Sequence, residues 1–334
     1  MKKNTHNPQP MKITEGYFID QQYDGYEMMQ ANITNWKQLC PYQLRPDSLS
    51  GRLQILQLHL MQITFGERKG GTMHHAGAPK DTLNIAVAES CADKACFGPI
   101  KLKTGDIFFF DDKHPYNFIA NDTVKFIVIS IAKSNLGSRL SSLSKLIEHR
   151  IYDTDARLVT LLRKTWEHFT ASSEKQNSQS YKKAEEQILS LVMELLADQT
   201  PLIPKLTKGE KTALAIRDQV VHHLDGEVSI GSLARQHKIS EQSLQDSFKS
   251  LFGFTPNKFL RQLKLNLVHY DLQKCNPDQN TVSEIAHKWG FGHMGRFSAF
   301  YTKLFGVNPS LTLKTSYFDD NDIEALCVTR KEMM

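Results

Sequence analysis

What this chain lacks narrows its chemistry quickly. No apolar run approaches the ~18 residues that a membrane span requires, so no membrane partner is expected. The basic start, MKKNTHNPQPMK, has no apolar stretch behind it and reads as a polar arm over 1–11, not a secretory signal. GxSxG and P-loop motifs are both missing, which leaves no sequence basis for a serine hydrolase or a P-loop nucleotide hydrolase. Cysteine is scarce and odd in number: Cys40, Cys91, Cys96, Cys275 and Cys327, with no CxxC pair. Cys91 and Cys96 are close, but no second Cys/His cluster at zinc spacing accompanies them. Reduced thiols in a cytoplasmic protein are the expectation, with a Cys91/Cys96 redox pair as the other reading.

The front part is rich in short strands, and a metal-holding cupin is one architecture to weigh. Its candidate ligands are His59, His74, His75 and His114. A facial metal site wants alternate strand residues, as in H-x-H, so that both imidazoles point inward. His74 and His75 are adjacent and on a strand would face opposite ways, and no Glu stands at a matching spacing. No metal, no other cofactor and no catalytic residue are therefore expected. Asp111-Asp112, followed by Lys113-His114-Pro115, reads as a solvated turn and not as an acid/base pair.

The formal charge of +5 is uneven. Residues 205–318 hold 15 Lys and Arg against 9 Asp and Glu, whereas the tail from 319 holds 2 against 5. The positive excess sits where a phosphate-binding surface would need it.

Residues 12–135 read as a β-rich domain. The segment 52–65, RLQILQLHLMQITF, alternates apolar and polar like one half-buried strand. Further strands are expected at 82–88, at 101–110 with a Gly105-Asp106 turn, and at 124–131, whose run VKFIVISI suits a fully buried strand. Short strands punctuated by Gly, Pro, Asn and Asp argue for a sandwich or a small cupin-like barrel. Its inward aromatics, Phe108, Phe110, Tyr116 and Phe118, serve either as core or as the wall of a ligand pocket. Residues 136–200 are helical. A stripe of Ile188, Leu191, Val192, Leu195 and Leu196 there packs within its own domain or forms the seam of a homodimer. Pro201 and Pro204 break the helix, and 201–209 is the expected linker.

The most informative feature is a repeat. Residues 229–256 and 281–309 superpose as a short helix, a tight turn, a longer helix and a Gly stop. Ala234 falls on Ala286, Leu244 on Phe297 and Phe248 on Tyr301. Gly253 then falls on Gly306, and Pro256 on Pro309. These residues are the scaffold of two helix-turn-helix units. A recognition helix needs one face for its own core and another for the major groove. In the first unit the outer face presents Gln242, Gln245 and Asp246 to bases and Lys249 to phosphate. In the second it presents Met294, Gly295, Ser298 and Ala299, flanked by His293, Arg296 and Lys303 for the backbone. The first helix is therefore expected to discriminate bases more strongly.

These motifs carry a family resemblance. Residues 210–315, and above all SEIAHKWGFGHMGRFSAFYTKLFGVNPS in the second unit, resemble the DNA-binding domain of the AraC/XylS family of bacterial transcription regulators. The wording WGFGHMGRF…PSLTL is similar to a subgroup with ethanolamine-utilisation and aromatic-catabolism regulators, and GDIFFFDDKHPYNF resembles the ligand-binding β-domain of such regulators. The resemblance implies an α+β protein with a seven-helix domain at 210–315, its two units joined by a long helix at 257–275. It also implies double-stranded DNA, RNA polymerase and a small-molecule effector as partners, with transcription activation as the commonest outcome. An acidic tail follows at 316–334. Two alternatives stay open: a DNA-binding protein whose front domain only dimerises or binds a protein, and an enzyme–regulator fusion with a metal-binding cupin.

Overall fold

The computed structural model describes residues 15–24, 37–46, 49–91, 94–113, 116–171, 177–203, 205–222 and 229–315. The arm at 1–11 and the tail at 316–334 lie outside them.

Alternating and continuous apolar segments of the front part form two antiparallel sheets. The first contains, in spatial order, β1 (Phe18–Asp24), β3 (Ser50–Gln57), β4 (Met61–Lys69), β11 (Val124–Ala132), β6 (Thr82–Cys91), β9 (Asp106–Asp111) and β12 (Arg150–Tyr152). The second runs β2 (Lys37–Gln43), β5 (Thr72–Gly77), β10 (Tyr116–Ala120), β7 (Ala95–Phe97) and β8 (Ile100–Lys101). The segment 52–65 is not one strand. It folds back between β3 and β4, with Leu58 N donating to Met61 O at 2.8 Å. That turn, Leu58-His59-Leu60, contains no Gly, Pro, Asn or Asp, and Leu56, Leu58 and Leu60 keep alternating through it, so its one trace is the phase slip at Leu60-Met61.

The two sheets and the helices packed on them make four layers. Helices α1 (Arg139–Ser144), α2 (Arg157–Ala171) and α3 (Ser178–Ala197) cover the outer face of the first sheet. There Ile63, Ile85, Phe109, Ile127 and Ile129 meet Leu158, Leu162, Ile188, Val192 and Leu195 in one core. The α3 stripe is thus buried against its own sheet and not left open. Between the sheets lies an aromatic core: Phe97 is 4.5 Å from Phe108, 4.9 Å from Phe110 and 4.7 Å from Tyr116, centroid to centroid. The outer face of the second sheet packs on the helical domain.

Among the described residues that domain has seven helices: α4 (Lys208–His222), α5 (Ile230–Gln236), α6 (Glu241–Phe252), α7 (Pro256–Lys274), α8 (Val282–Lys288), α9 (Met294–Phe305) and α10 (Pro309–Thr315). It has two cores, and α7 belongs to both. Phe259, Leu260 and Leu263 join α4–α6, while Leu265, Val268 and Leu272 join α8–α10. Being buried on successive faces, α7 lacks the single apolar stripe of a surface helix.

Candidate nucleic-acid interface

Each unit is built by local chemistry that repeats with variations. Ser240 caps α6 by accepting from Ser243 N at 3.2 Å, and Leu244, Phe248 and Leu251 are buried below it. Gly253 ends α6 at φ 77°, a left-handed backbone that favours glycine. In the second unit α8 opens with a capping box, Thr281 and Glu284 exchanging hydrogen bonds, a T-x-x-E signal that the repeat alignment overlooks. Phe297, Tyr301 and Leu304 are the buried anchors of α9, and Gly306 ends it at φ 74°. Tyr301 OH donates to Thr312 Oγ1 at 2.9 Å and lies 2.6 Å from His269 Nδ1, which ties α9 to α10 and α7. At the turn inside each unit, Lys238 stands at φ 51° where the second unit has Gly290 at φ 82°. Ala234 and Ala286, both buried, sit under these turns, and Pro256 and Pro309 start α7 and α10.

The outer faces are open. On α6, Gln242, Asp246 and Lys249 are exposed and Gln245 is half-buried. Gln242 Nε2 donates to both carboxylate oxygens of Asp246, at 3.0 and 3.1 Å. Gln245 makes no hydrogen bond among the described residues. The two glutamines, equivalent by spacing, therefore differ in how free they are. On α9, Gly295, Ala299, His293, Arg296 and Lys303 are exposed and Ser298 is half-buried. Met294 turns one side into the core beneath, beside Phe291. A Cβ placed on Gly295 would meet open space.

Lys303 belongs to a cationic cluster that spacing did not reveal. Burial, together with Arg45, Arg261 and Lys303, holds the Lys258 ammonium below its usual pKa. These cations come from α7, from α9 and from the loop after β2, so only the tertiary fold assembles them.

The front domain offers a second candidate site, between the sheets. Five buried polar atoms there have no hydrogen-bond partner among the described residues: Thr64 Oγ1, Thr72 Oγ1, His74 Nε2, Asn84 Oδ1 and Ser130 Oγ. Thr64, Ser130 and Asn84 lie on adjoining strands of the first sheet, while Thr72 and His74 sit opposite Ala120 and Phe118 in the second. Arg68 lies 4.7 Å from the Phe126 centroid and 5.6 Å from that of Phe118, with no carboxylate in ion-pair reach among the described residues. Burial, reinforced by the Arg68 charge, drives the His74 pKa well below its usual value, so the ring is neutral.

Of the other histidines, His59 pairs with Glu15, and the side chains of His75 and His114 lie outside the described residues. No group of three or more His, Cys, Asp or Glu is placed to hold a metal among the described residues. Cys91 and Cys96 are free thiols. Burial pushes them up to about 11 and about 12, so neither is a thiolate at neutral pH.

A scan of protein families matches residues 233–315 to the family described as Helix-turn-helix domain. Among curated proteins the chain is similar to the probable thc operon regulatory protein of Rhodococcus erythropolis, 33% identical over 123 residues, or 37% of this chain and 35% of that protein. It is also similar to the XylDLEGF operon transcriptional activator of Pseudomonas putida, 31% identical over 108 residues, covering 32% and 34% of the two chains. The matched part spans about a third of the length of these relatives. Among solved structures, the AraC-like transcriptional activator CuxR aligns at TM-score 0.41 and 12% identity, covering 76% of this chain and 96% of that one.

Proposed function

From the premise that this chain carries an AraC/XylS-family helix-turn-helix domain, we propose that it is a sequence-specific transcription regulator that binds double-stranded DNA in the bacterial cytoplasm. The carrying observation is the pair of exposed outer faces, on α6 and α9, mounted on matching buried scaffolds and joined by one helix. Each face suits a major groove. Gln242, Gln245 and Asp246 read bases from α6, and Lys249 holds phosphate. Ser298, Ala299, Gly295 and the exposed side of Met294 approach bases from α9, with His293, Arg296 and Lys303 on the backbone. The relatives are an operon regulator and a transcriptional activator by name. We extend activation, and with it contact to RNA polymerase, to this chain. We extend homodimerisation to it as well, with Ile188, Val192 and Leu195 outside the seam because they are buried in their own domain.

Selection of duplexes from a random library by the full chain, followed by salt titration, tests this reading. A selected sequence and a log–log salt slope set by several phosphate contacts are expected. Enrichment of no sequence would overturn it.

We further propose that the space between the sheets takes a small-molecule effector. The unpartnered polar atoms and Arg68 support this, because buried donors and acceptors without partners each cost free energy that a ligand would recover. A ligand with an acidic group for Arg68 and a planar apolar body for the aromatic wall fits these groups. Thermal-shift screening of organic acids against their neutral amides checks it. Acids should stabilise the wild type and not Arg68→Met, and equal shifts from acids and amides would argue against the Arg68 role.

A further inference from the structure

The last carbonyls of an α-helix have no partner within the helix. In both recognition helices, front-domain side chains supply partners. At the end of α6, Cys96 Sγ donates to Leu251 O at 3.0 Å and Asn121 Nδ2 to Phe252 O at 2.5 Å, while Lys94 Nζ donates at 2.9 Å to Lys249 O, which also accepts from Gly253 N. At the end of α9, Gln43 Nε2 donates to Leu304 O at 2.8 Å. Between the two, the connecting helix is held like a neighbouring strand. Asn266 Oδ1 accepts from Gln43 N at 2.7 Å while Asn266 Nδ2 donates to Gln43 O at 2.8 Å. Gln262 Nε2 donates to Leu44 O at 2.9 Å. Gln43, Asn121, Gln262 and Asn266 are all more than nine-tenths buried.

Apolar contact closes the same seam. Tyr42, Leu44, Met73, Cys96 and Ile119 of the front domain share one core with Leu251, Phe252, Phe254 and Phe259. The two helix-stopping glycines differ accordingly. A Cβ on Gly253 would run into the Asn121 amide, whereas one on Gly306 would meet nothing. The strands that form this seam are also a wall of the space between the sheets. On β5 and β10, His74 and Phe118 face inward and Met73 and Ile119 face the helices, because successive strand residues point to opposite faces.

We propose that the front domain is a third part of the DNA reader: it clamps α6, α7 and α9 and so sets the one separation between half-sites that the two recognition helices accept. This rests on the DNA-binding reading above. It goes beyond it by assigning spacing to residues that touch no DNA. A duplex turns by about 35° per base pair, so a rigid reader tolerates no inserted or deleted pair, whereas a loosened one does.

The test uses the full chain and a duplex selected by it, with the spacer between half-sites changed by one base pair either way. The wild type should lose about tenfold or more in affinity on each altered spacer, the scale of a lost base contact. Gln43→Ala and Asn121→Ala, each removing a cap while leaving both reading faces intact, should lose less than about threefold on them. Hydrogen exchange at the ends of α6 and α9 is measured in parallel on the free protein. Faster exchange at Leu251–Gly253 is expected in Asn121→Ala, and at 304–306 in Gln43→Ala. Wild-type spacer profiles in both folded variants would overturn the clamp. If no duplex is selected at all, the DNA-binding reading fails, and unchanged exchange would then sink the capping role independently.

Discussion

Replacing Gln245 by alanine is the sharpest test of the proposed reading of DNA bases by α6. The side chain sits on the outer face of α6, half-buried, with no hydrogen-bond partner among the described residues. Binding adenine through both amide atoms would break nothing already made. A bidentate contact of that kind is worth about 1–3 kcal/mol of discrimination, or roughly 5- to 150-fold. Gln242 stands in a different position, since its amide already donates to both oxygens of Asp246. That pair is exposed and worth less than about 1 kcal/mol, but it must open before Gln242 can reach a base. Gln242→Ala should therefore alter discrimination less than Gln245→Ala. Asp246→Ala should release Gln242, remove a negative charge facing phosphates and relax base preference at the position that Asp246 itself reads. Fluorescence anisotropy on a selected duplex and its single-base variants, at two salt concentrations, separates these effects. Lys249→Ala is the control, weakening every duplex alike and flattening the salt slope. The reasoning is refuted if Gln245→Ala loses affinity equally on all duplexes, or if Gln242→Ala changes base preference more.

Lys238→Gly should stabilise the protein by about 1 kcal/mol, because Lys238 holds a left-handed backbone (φ 51°) where the matching residue is glycine; denaturant midpoints measure this. Glu210→Gln should lower stability by about 1 kcal/mol at neutral pH. Burial alone would raise the Glu210 pKa, but Lys101, Thr207 and Ser250 together bring it from 4.5 down to about 2. A carboxylate lowered in this way contributes above pH 4.5, and its contribution fades as pH falls towards about 2. Wild-type and variant denaturation curves should accordingly converge over that window, and a constant gap would contradict the ion-pair account. Gly295→Ala should raise the melting temperature through helix propensity, about 1 kcal/mol at most, since its Cβ meets open space. The same change should weaken DNA binding if α9 approaches the bases as closely as its small residues allow, which anisotropy with the selected duplex would reveal.

Much of the helical domain was legible because its signals are local. Caps, Gly stops and Pro starts act within one turn, and anchors at i, i+4 and i+7 mark a buried face without reference to distant residues. The front domain was legible as strands, yet the β3–β4 turn stayed hidden because Leu58-His59-Leu60 keeps the alternation going. The α3 stripe shows another boundary. Its periodicity announces a buried face but not the surface that buries it, and the first sheet turns out to be that surface.

Residue types and spacings alone mark out two helix-turn-helix units with unequal outer faces, because they decide which side chains point outward. Tertiary structure decided which of those side chains are free, as Gln242 is paired and Gln245 is not. It also brought Arg68 to an aromatic wall, and joined Arg45, Lys258, Arg261 and Lys303 in one cluster. Above all, it placed Gln43 against Asn266 and Asn121 against Phe252, partners 223 and 131 residues apart. No local pattern encodes such pairs, because a helix end looks the same in sequence whether water or another domain satisfies its carbonyls.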